Sequence, residues 1–215
     1  MSTQIKIDFV SDVSCPWCAV GLYSLKKALA ELEGEVTADI HFQPFELNPQ
    51  MAPEGEDIGE HLRRKYGASD EQLAQTREAI RKRGAALGFD FAVGKRDRIY
   101  NTFDAHRLLH WAELEGRQLA LKEALFRRYF TEGQAPSSHE VLLAACAEVS
   151  LDVTRAQAIL ASDEFAAEVR AAASRYLNAG IHSVPAVIIN NRHLIQGGQP
   201  PETFVQALRQ IAAQG

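Results

Sequence analysis

The sequence predicts a mixed α/β fold in which a small sheet is interrupted by a large helical insertion. Three observations carry this. The first 45 residues read strand–helix–strand, the period turns helical from Asn48 to Ser162, and the remainder reads helix–strand–strand–helix. With 215 residues, 46% of them hydrophobic and 24% charged, the chain can bury a sizeable core and is neither disordered nor a disulfide-stapled scaffold.

Ile5-Lys6-Ile7-Asp8-Phe9-Val10 alternates at first and reads as a strand. Leu22, Leu25, Leu29 and Leu32 then recur at spacings of 3, 4 and 3, one face of a helix that Gly34 ends. Residues 37–45, with Ile40 and Phe42 two apart, read as a second strand, so the opening is a parallel βαβ unit. In the insertion, Ser69-x-x-Gln72 is a capping box before a helix stopped by Gly88. Helices follow over 101–115 and 118–129. Ser137-x-x-Glu140 is a second capping box leading into 141–149, and Asp152 caps a short helix to Leu160. Residues 163–179 form one more long helix ending at Gly180. Strands over 186–189 and 193–196 flank Asn190-Asn191, which suits the positive φ of a hairpin turn. Pro200-Pro201 opens a final helix to about residue 212. The expected organisation is a core in two pieces, residues 1–48 and 163–215, around an all-helical insertion at 49–162.

The balance of 23 basic against 28 acidic residues gives a formal charge of −5, which argues against a dominant nucleic-acid surface. No run of side chains is long and apolar enough to cross a bilayer. Met1-Ser2-Thr3-Gln4-Ile5-Lys6 lacks the basic and apolar regions of a secretory signal, so the expectation for a complete chain is the cytoplasm. Residues 51–100 hold 10 basic and 9 acidic side chains interleaved, a solvated helical surface.

There are three cysteines, too few to staple a fold of this size. Cys146 lies in Leu142-Leu143-Ala144-Ala145-Cys146-Ala147 and reads as a small buried hydrophobe. Cys15-Pro16-Trp17-Cys18 is the informative pair, since a C-x-x-C in a reducing compartment reads as redox-catalytic or metal-binding. It lies where the first strand meets the first helix. There the free N–H groups and the positive end of the helix dipole favour a thiolate, and Pro16 fits the first helical turn. Cys15 is then the exposed nucleophile and Cys18 the resolving thiol. A zinc half-site would need two more ligands, and the remaining cysteine is over a hundred residues away. His106 and His110, spaced i, i+4, could share a metal, but no third ligand is evident and an ordinary amphipathic face explains them better. Trp17 either shields the pair or offers an apolar docking surface.

Taken in order, Ser11-Asp12-x-x-Cys15-Pro16-Trp17-Cys18, Phe45-Glu46-Leu47-Asn48-Pro49, Asn101-Thr102-x-x-Ala105-His106-Arg107, Ser183-Val184-Pro185 and the closing Gly197-Gly198-Gln199-Pro200-Pro201-Glu202-Thr203-Phe204 resemble the DsbA-like thiol–disulfide oxidoreductases, in their cytoplasmic FrnE-like branch. The resemblance covers essentially the whole chain. It implies an α/β thioredoxin fold with a large helical insertion, a Cys15–Cys18 redox pair, and Pro185 as a cis-proline beside the substrate groove. Pro16, Trp17, Val184 and His106 are the implied substrate-binding residues, Val184 through its backbone. The helix carrying Asn101–Arg107 is expected over the C-x-x-C end of the sheet, lining a groove with Trp17 and directing His106 into it.

The related 2-hydroxychromene-2-carboxylate isomerases and kappa-class glutathione transferases usually carry serine where Cys15 stands, so two thiols favour disulfide exchange. The second cysteine pair of some relatives is missing here. The resulting expectation is an enzyme exchanging disulfides with protein or small-molecule thiols, without metal or organic cofactor, and with glutathione as a possible co-substrate. The other readings are a glutathione-dependent isomerase or transferase and a non-catalytic holdase. No nucleic-acid or membrane partner is expected.

Overall fold

The computed structural model describes residues 2–214, so Met1 and Gly215, the outer bounds given to the core from sequence, lie outside the described residues. The main sheet is built from β1 (Thr3–Ser11), β2 (Val36–Pro44), β5 (Ala186–Ile189) and β6 (His193–Gln196), in the order β2-β1-β5-β6. β1 runs parallel to β2, with Phe9 beside Phe42, and antiparallel to β5, with Phe9 opposite Val187. The parallel pair needs a crossover, and α1 (Pro16–Glu31) supplies it. The antiparallel β5–β6 hairpin closes through Asn190 and Asn191 at φ 51° and 55°, the left-handed region asparagine tolerates.

β1 is buried on both faces, so its side chains serve two layers. Ile5, Ile7 and Phe9 point into one cluster with Leu22 and Leu25 of α1 and with Phe204 and Leu208 of α9 (Pro201–Ala212). Val10 points the other way, toward Tyr176 of α8 (Ala166–Asn178).

Between the two halves of the core come α2 (Ile58–Tyr66), α3 (Asp70–Ala86), α4 (Phe103–Leu114), α5 (Gln118–Phe126), a π-helical turn over Arg127–Thr131, α6 (His139–Glu148) and α7 (Val153–Leu160). The Ser69–Gln72 capping box forms with both reciprocal bonds, and Asp152 caps α7 through the amides of Thr154 and Arg155. Four details differ from the sequence reading. The insertion is not wholly helical: β3 (Glu56–Asp57) and β4 (Arg98–Ile99) form a two-residue antiparallel ladder, too short to leave a periodic trace. The hydroxyl capping α6 belongs to Ser138, whereas Ser137 donates to the Pro53 carbonyl. The 118–129 helix changes pitch after Phe126. The helix expected from residue 163 starts at Ala166, because Phe165 turns the chain at φ 61°.

The insertion shares the core's interior. Ile80, Phe89, Phe91, Phe126, Tyr129 and Phe130 belong to the same apolar cluster as Phe9 and Leu22. A second cluster joins α4, α5, α6 and α7 and takes in Val13 from the loop after β1.

Candidate active site

β1 delivers the chain to the site and α1 carries it away. Cys15 is the N-cap of α1, in extended backbone, with Pro16 opening the helix. The amides of Cys18 and Ala19 donate to the Cys15 carbonyl, at 3.1 and 3.4 Å, which closes the first turn and folds the motif back on itself. Cys15 and Cys18 approach to 3.3 Å, and both are free thiols. Cys15 borders a large groove but, against the exposed thiol expected from sequence, is only 5% exposed because the helix start packs it into the core; Cys18 has no exposed surface.

The two thiols differ in acidity. The Cys18 thiol donates to Cys15, and together with the amides of Cys18 and Trp17 this outweighs burial and the Asp12 charge, holding the Cys15 thiol below its ordinary value. Burial, and then the neighbouring Cys15, push Cys18 well above it. The helix N-terminus thus favours one thiolate, and depth in the core separates the pair.

Asp12 organises the loop. It is 1% exposed and accepts from the Ser14 amide at 3.3 Å, the Ser14 hydroxyl at 3.1 Å and the Leu47 amide at 2.8 Å. Burial alone would raise its pKa, but bonds from His106, Leu47 and Thr102 prevail and keep it low. The C-x-x-C loop is thereby tied to the segment following β2.

Opposite Cys15, the thiol donates to the Val184 carbonyl at 3.7 Å, and the Val184–Pro185 peptide is cis. Pro185 itself is buried behind this edge, against Gly21, where an added Cβ would lie 3.1 Å from its ring. The groove has a volume of about 1180 Å³. Cys15, Pro16, Trp17 and Val184 line one side, and Ile58, Leu62, Tyr66, Leu73, Ile80 and Phe91 the other. Trp17 rests on Gly198, where a Cβ would meet its carbonyl at 3.0 Å and its ring at 3.2 Å. Arg83 of α3 donates to the Gly198 carbonyl at 2.7 Å with its guanidinium 5.9 Å from the Trp17 ring.

The sheet thus carries a C-x-x-C at the head of its crossover helix, with the cis Val184–Pro185 peptide opposite it. The DSBA-like thioredoxin domain matches residues 6–209. The chain belongs to that family. A probable DsbA oxidoreductase from Streptomyces coelicolor is 32% identical, with a TM-score of 0.91 over 98% of this chain and 91% of its own. The cytosolic disulfide reductase DsbM from Pseudomonas aeruginosa, solved with GSH, has the same fold at 18% identity, with a TM-score of 0.67 over 97% of this chain and 99% of its own. A 2-hydroxychromene-2-carboxylate isomerase has it at 15% identity, with a TM-score of 0.69 over 97% of both chains. No curated protein matches the sequence. The family is one of oxidoreductases acting on thiols and disulfides. Among the described residues, no helix is long and apolar enough to cross a membrane.

Within this DSBA-like core, Cys15, Cys18, Pro16, Trp17, Val184 and Pro185 converge at one end of the sheet, and His106 departs from expectation. It is 3% exposed and does not line the groove. Its Nε2 donates to the Phe45 carbonyl at 3.1 Å and lies 3.5 Å from Asp12, so the ring is spent bracing the C-x-x-C loop from behind. The wall facing Trp17 comes from α2, α3 and the segment around residues 91–99, not from α4. His110 packs its ring 5.1 Å from Phe165. Cys146 is fully buried among apolar side chains, which push its thiol up to about 12.

Sequence reasoning missed Lys122. It lies on α5 with no exposed surface, its Nζ 5.0 Å from the Phe126 ring and 5.6 Å from that of Phe42. A signal existed: its i±3 and i±4 neighbours are Gln118, Leu119, Leu125 and Phe126, which put a lysine on the apolar stripe.

Proposed function

We propose that the protein is a dithiol–disulfide oxidoreductase working through Cys15 and Cys18. The observation that carries this is the pair of thiols 3.3 Å apart with opposite acidities, the more acidic one at the groove. The Cys15 thiolate attacks a substrate disulfide, forming a Cys15–substrate bond and releasing one substrate thiolate. Cys18 then attacks the Cys15 sulfur, closing the intramolecular disulfide and releasing the second. The same steps in reverse oxidise a dithiol. Pro16, Trp17 and the Val184 backbone hold the substrate against Cys15, and Pro185 shapes the edge from behind. The chemistry uses no metal or organic cofactor. Glutathione fits as co-substrate, a reading supported by the GSH-bound disulfide reductase of the same fold. A cytoplasmic location belongs to the same proposal, with that cytosolic protein as its support.

The test is turnover of glutathione disulfide and of a disulfide-bonded peptide by the wild type, Cys15→Ser and Cys18→Ser. Cys15→Ser is expected to be inactive, and Cys18→Ser to accumulate a Cys15 mixed disulfide visible by mass. Full activity of Cys15→Ser, with or without added glutathione, would overturn the proposal.

A further inference from the structure

The groove beside Cys15 carries an uncompensated cation. Arg96, in the segment between α3 and β4, borders it. Its guanidinium lies over two rings of the π-helical turn, 5.0 Å from the centroid of Tyr129 and 5.1 Å from that of Phe130. Stacking on rings fixes the plane of a guanidinium and leaves its edge for a carboxylate. No carboxylate of the chain takes that place. Arg96 forms no ion pair among the described residues, and its buried Nε has no hydrogen-bond partner. Resting on the dithiol reading, we propose that Arg96 is an anion subsite of the groove. The substrate it selects is a disulfide-bearing peptide segment with a carboxylate side chain close to an apolar one.

Most other charges on the groove are committed. Arg63 pairs with Asp70 at 2.6 Å, and Arg81 with Glu78 at 2.8 Å. Asp57 accepts from the Glu60 amide at 2.8 Å as the cap of α2, and the Asp97 charge acts on Tyr100. Arg77, exposed on α3 and without an ion pair among the described residues, adds a second positive charge. An acidic substrate therefore meets positive charge here, although the molecule as a whole is formally −5.

Size and rim argue for a peptide as the occupant. A volume of about 1180 Å³ exceeds the roughly 300–1,000 Å³ usual for small-molecule sites. Val93, at 84% the most exposed large apolar side chain among the described residues, stands on the rim with Tyr66 at 61%. Leu62, Leu73, Ile80 and Phe91 supply apolar lining between them. A segment held by its cysteine at Cys15 lays its apolar side chain on this lining and its carboxylate on Arg96, where charge-assisted bonds fix it.

The experiment is reduction of end-capped cysteine peptides activated as 2-pyridyl disulfides. Each has leucine beside the cysteine and glutamate, glutamine or lysine at successive positions beyond it. Released 2-thiopyridone gives the second-order rate constant. The net charge of the molecule favours the lysine peptide, so a preference for glutamate reports the local site. At its best position in low salt, the glutamate peptide is expected to react roughly tenfold faster than the glutamine peptide, with lysine slowest. Arg96→Gln should bring the glutamate peptide down to the glutamine level, and Arg96→Lys should keep part of the difference. Equal rates for the glutamate and glutamine peptides in the wild type would overturn the anion subsite, even if the variants failed to fold. A glutamate preference that survives in Arg96→Gln would overturn the role of Arg96. An equal preference for 3,3′-dithiodipropionate over hydroxyethyl disulfide would show the carboxylate read without a peptide, and would overturn that occupant. If the wild type reduced none of these disulfides, the dithiol reading would fall instead.

Discussion

Cys15 and Cys18 are three positions apart, and the fold separates them by placing one at a groove and the other deeper in the core. The consequence for labelling is direct. In the reduced protein near neutral pH, iodoacetamide is expected to modify Cys15 at least about tenfold faster than Cys18 or Cys146, since alkylation follows the thiolate fraction and access. Peptide mass mapping at successive times reads this, and equal labelling would contradict the assigned roles. Lys122 has a stability signature of its own. Its unfolded form keeps a proton up to about 10.5, and its folded form only up to about 8. Between those values the unfolded state binds more protons, so native stability rises with pH. The difference corresponds to about 3 kcal/mol lost in the fold at neutral pH. Lys122→Met is therefore expected to be more stable than the wild type below pH 8, by up to about that amount. The advantage should fade as pH approaches 10.5, measured by urea unfolding across that range. At this scale the C-x-x-C pair was legible, because spacing and composition alone make Cys15-Pro16-Trp17-Cys18 distinctive. Lys122 was legible only as an anomaly of helical position; its neighbours Phe42 and His106 are brought to it by tertiary packing.

At the scale of elements, the segment Asn101–Arg107 shows where a sequence reading stops. Its periodicity places α4 correctly, but periodicity does not say which neighbour each face meets. Asn101 accepts from the Phe103 amide at 2.9 Å to start the helix, and His106 braces the C-x-x-C loop. Arg107 turns to the opposite side. It is 4% exposed, donates to the carbonyls of Ile159 at 2.5 Å, Glu164 at 2.9 Å and Ser162, and pairs with Asp104 at 2.8 Å. Those carbonyls belong to the end of α7 and the turn into α8, where a helix leaves acceptors unpaired and a cation is favoured. Replacing Arg107 with methionine would leave several buried acceptors without donors. The expected cost is about 3 kcal/mol, read as a lower urea midpoint, with the Cys15 labelling rate unchanged. A midpoint within error of the wild type would show that the clamp contributes nothing. The groove wall was illegible for a related reason. α2 and α3 are rich in charge, and only the fold reveals that Ile58, Leu62, Leu73 and Ile80 turn a narrow apolar side toward Trp17.

The whole molecule is a sheet with an insertion that cannot be lifted away from it. The division at residues 49 and 162 follows the chain, whereas the apolar interior ignores it. The ring of Tyr23 of α1 packs 4.8 Å from that of Phe89 of the insertion, tilted by 47°, and Phe89 in turn packs edge-on against Phe91 and Phe130. Lys122, Phe126 and Phe42 bring α5 against β2, and Gln118 of α5 exchanges hydrogen bonds with the Phe42 amide and carbonyl at 2.8 and 3.0 Å. Removing the insertion would expose the apolar side of these contacts, so neither part has a complete core of its own. Unfolding is accordingly expected to be a single cooperative transition. The two tryptophans make this measurable, because Trp17 packs against the cluster around the sheet while Trp111 is buried in the helical cluster. In Trp111→Phe the fluorescence reports Trp17, and in Trp17→Phe it reports Trp111. Within each variant the fluorescence midpoint in urea should coincide with that of far-ultraviolet circular dichroism, the test of two-state behaviour. If Trp111 emission changed at a lower denaturant concentration than the dichroism, the helical block would be melting on its own, and the shared aromatic cluster would not couple the two parts.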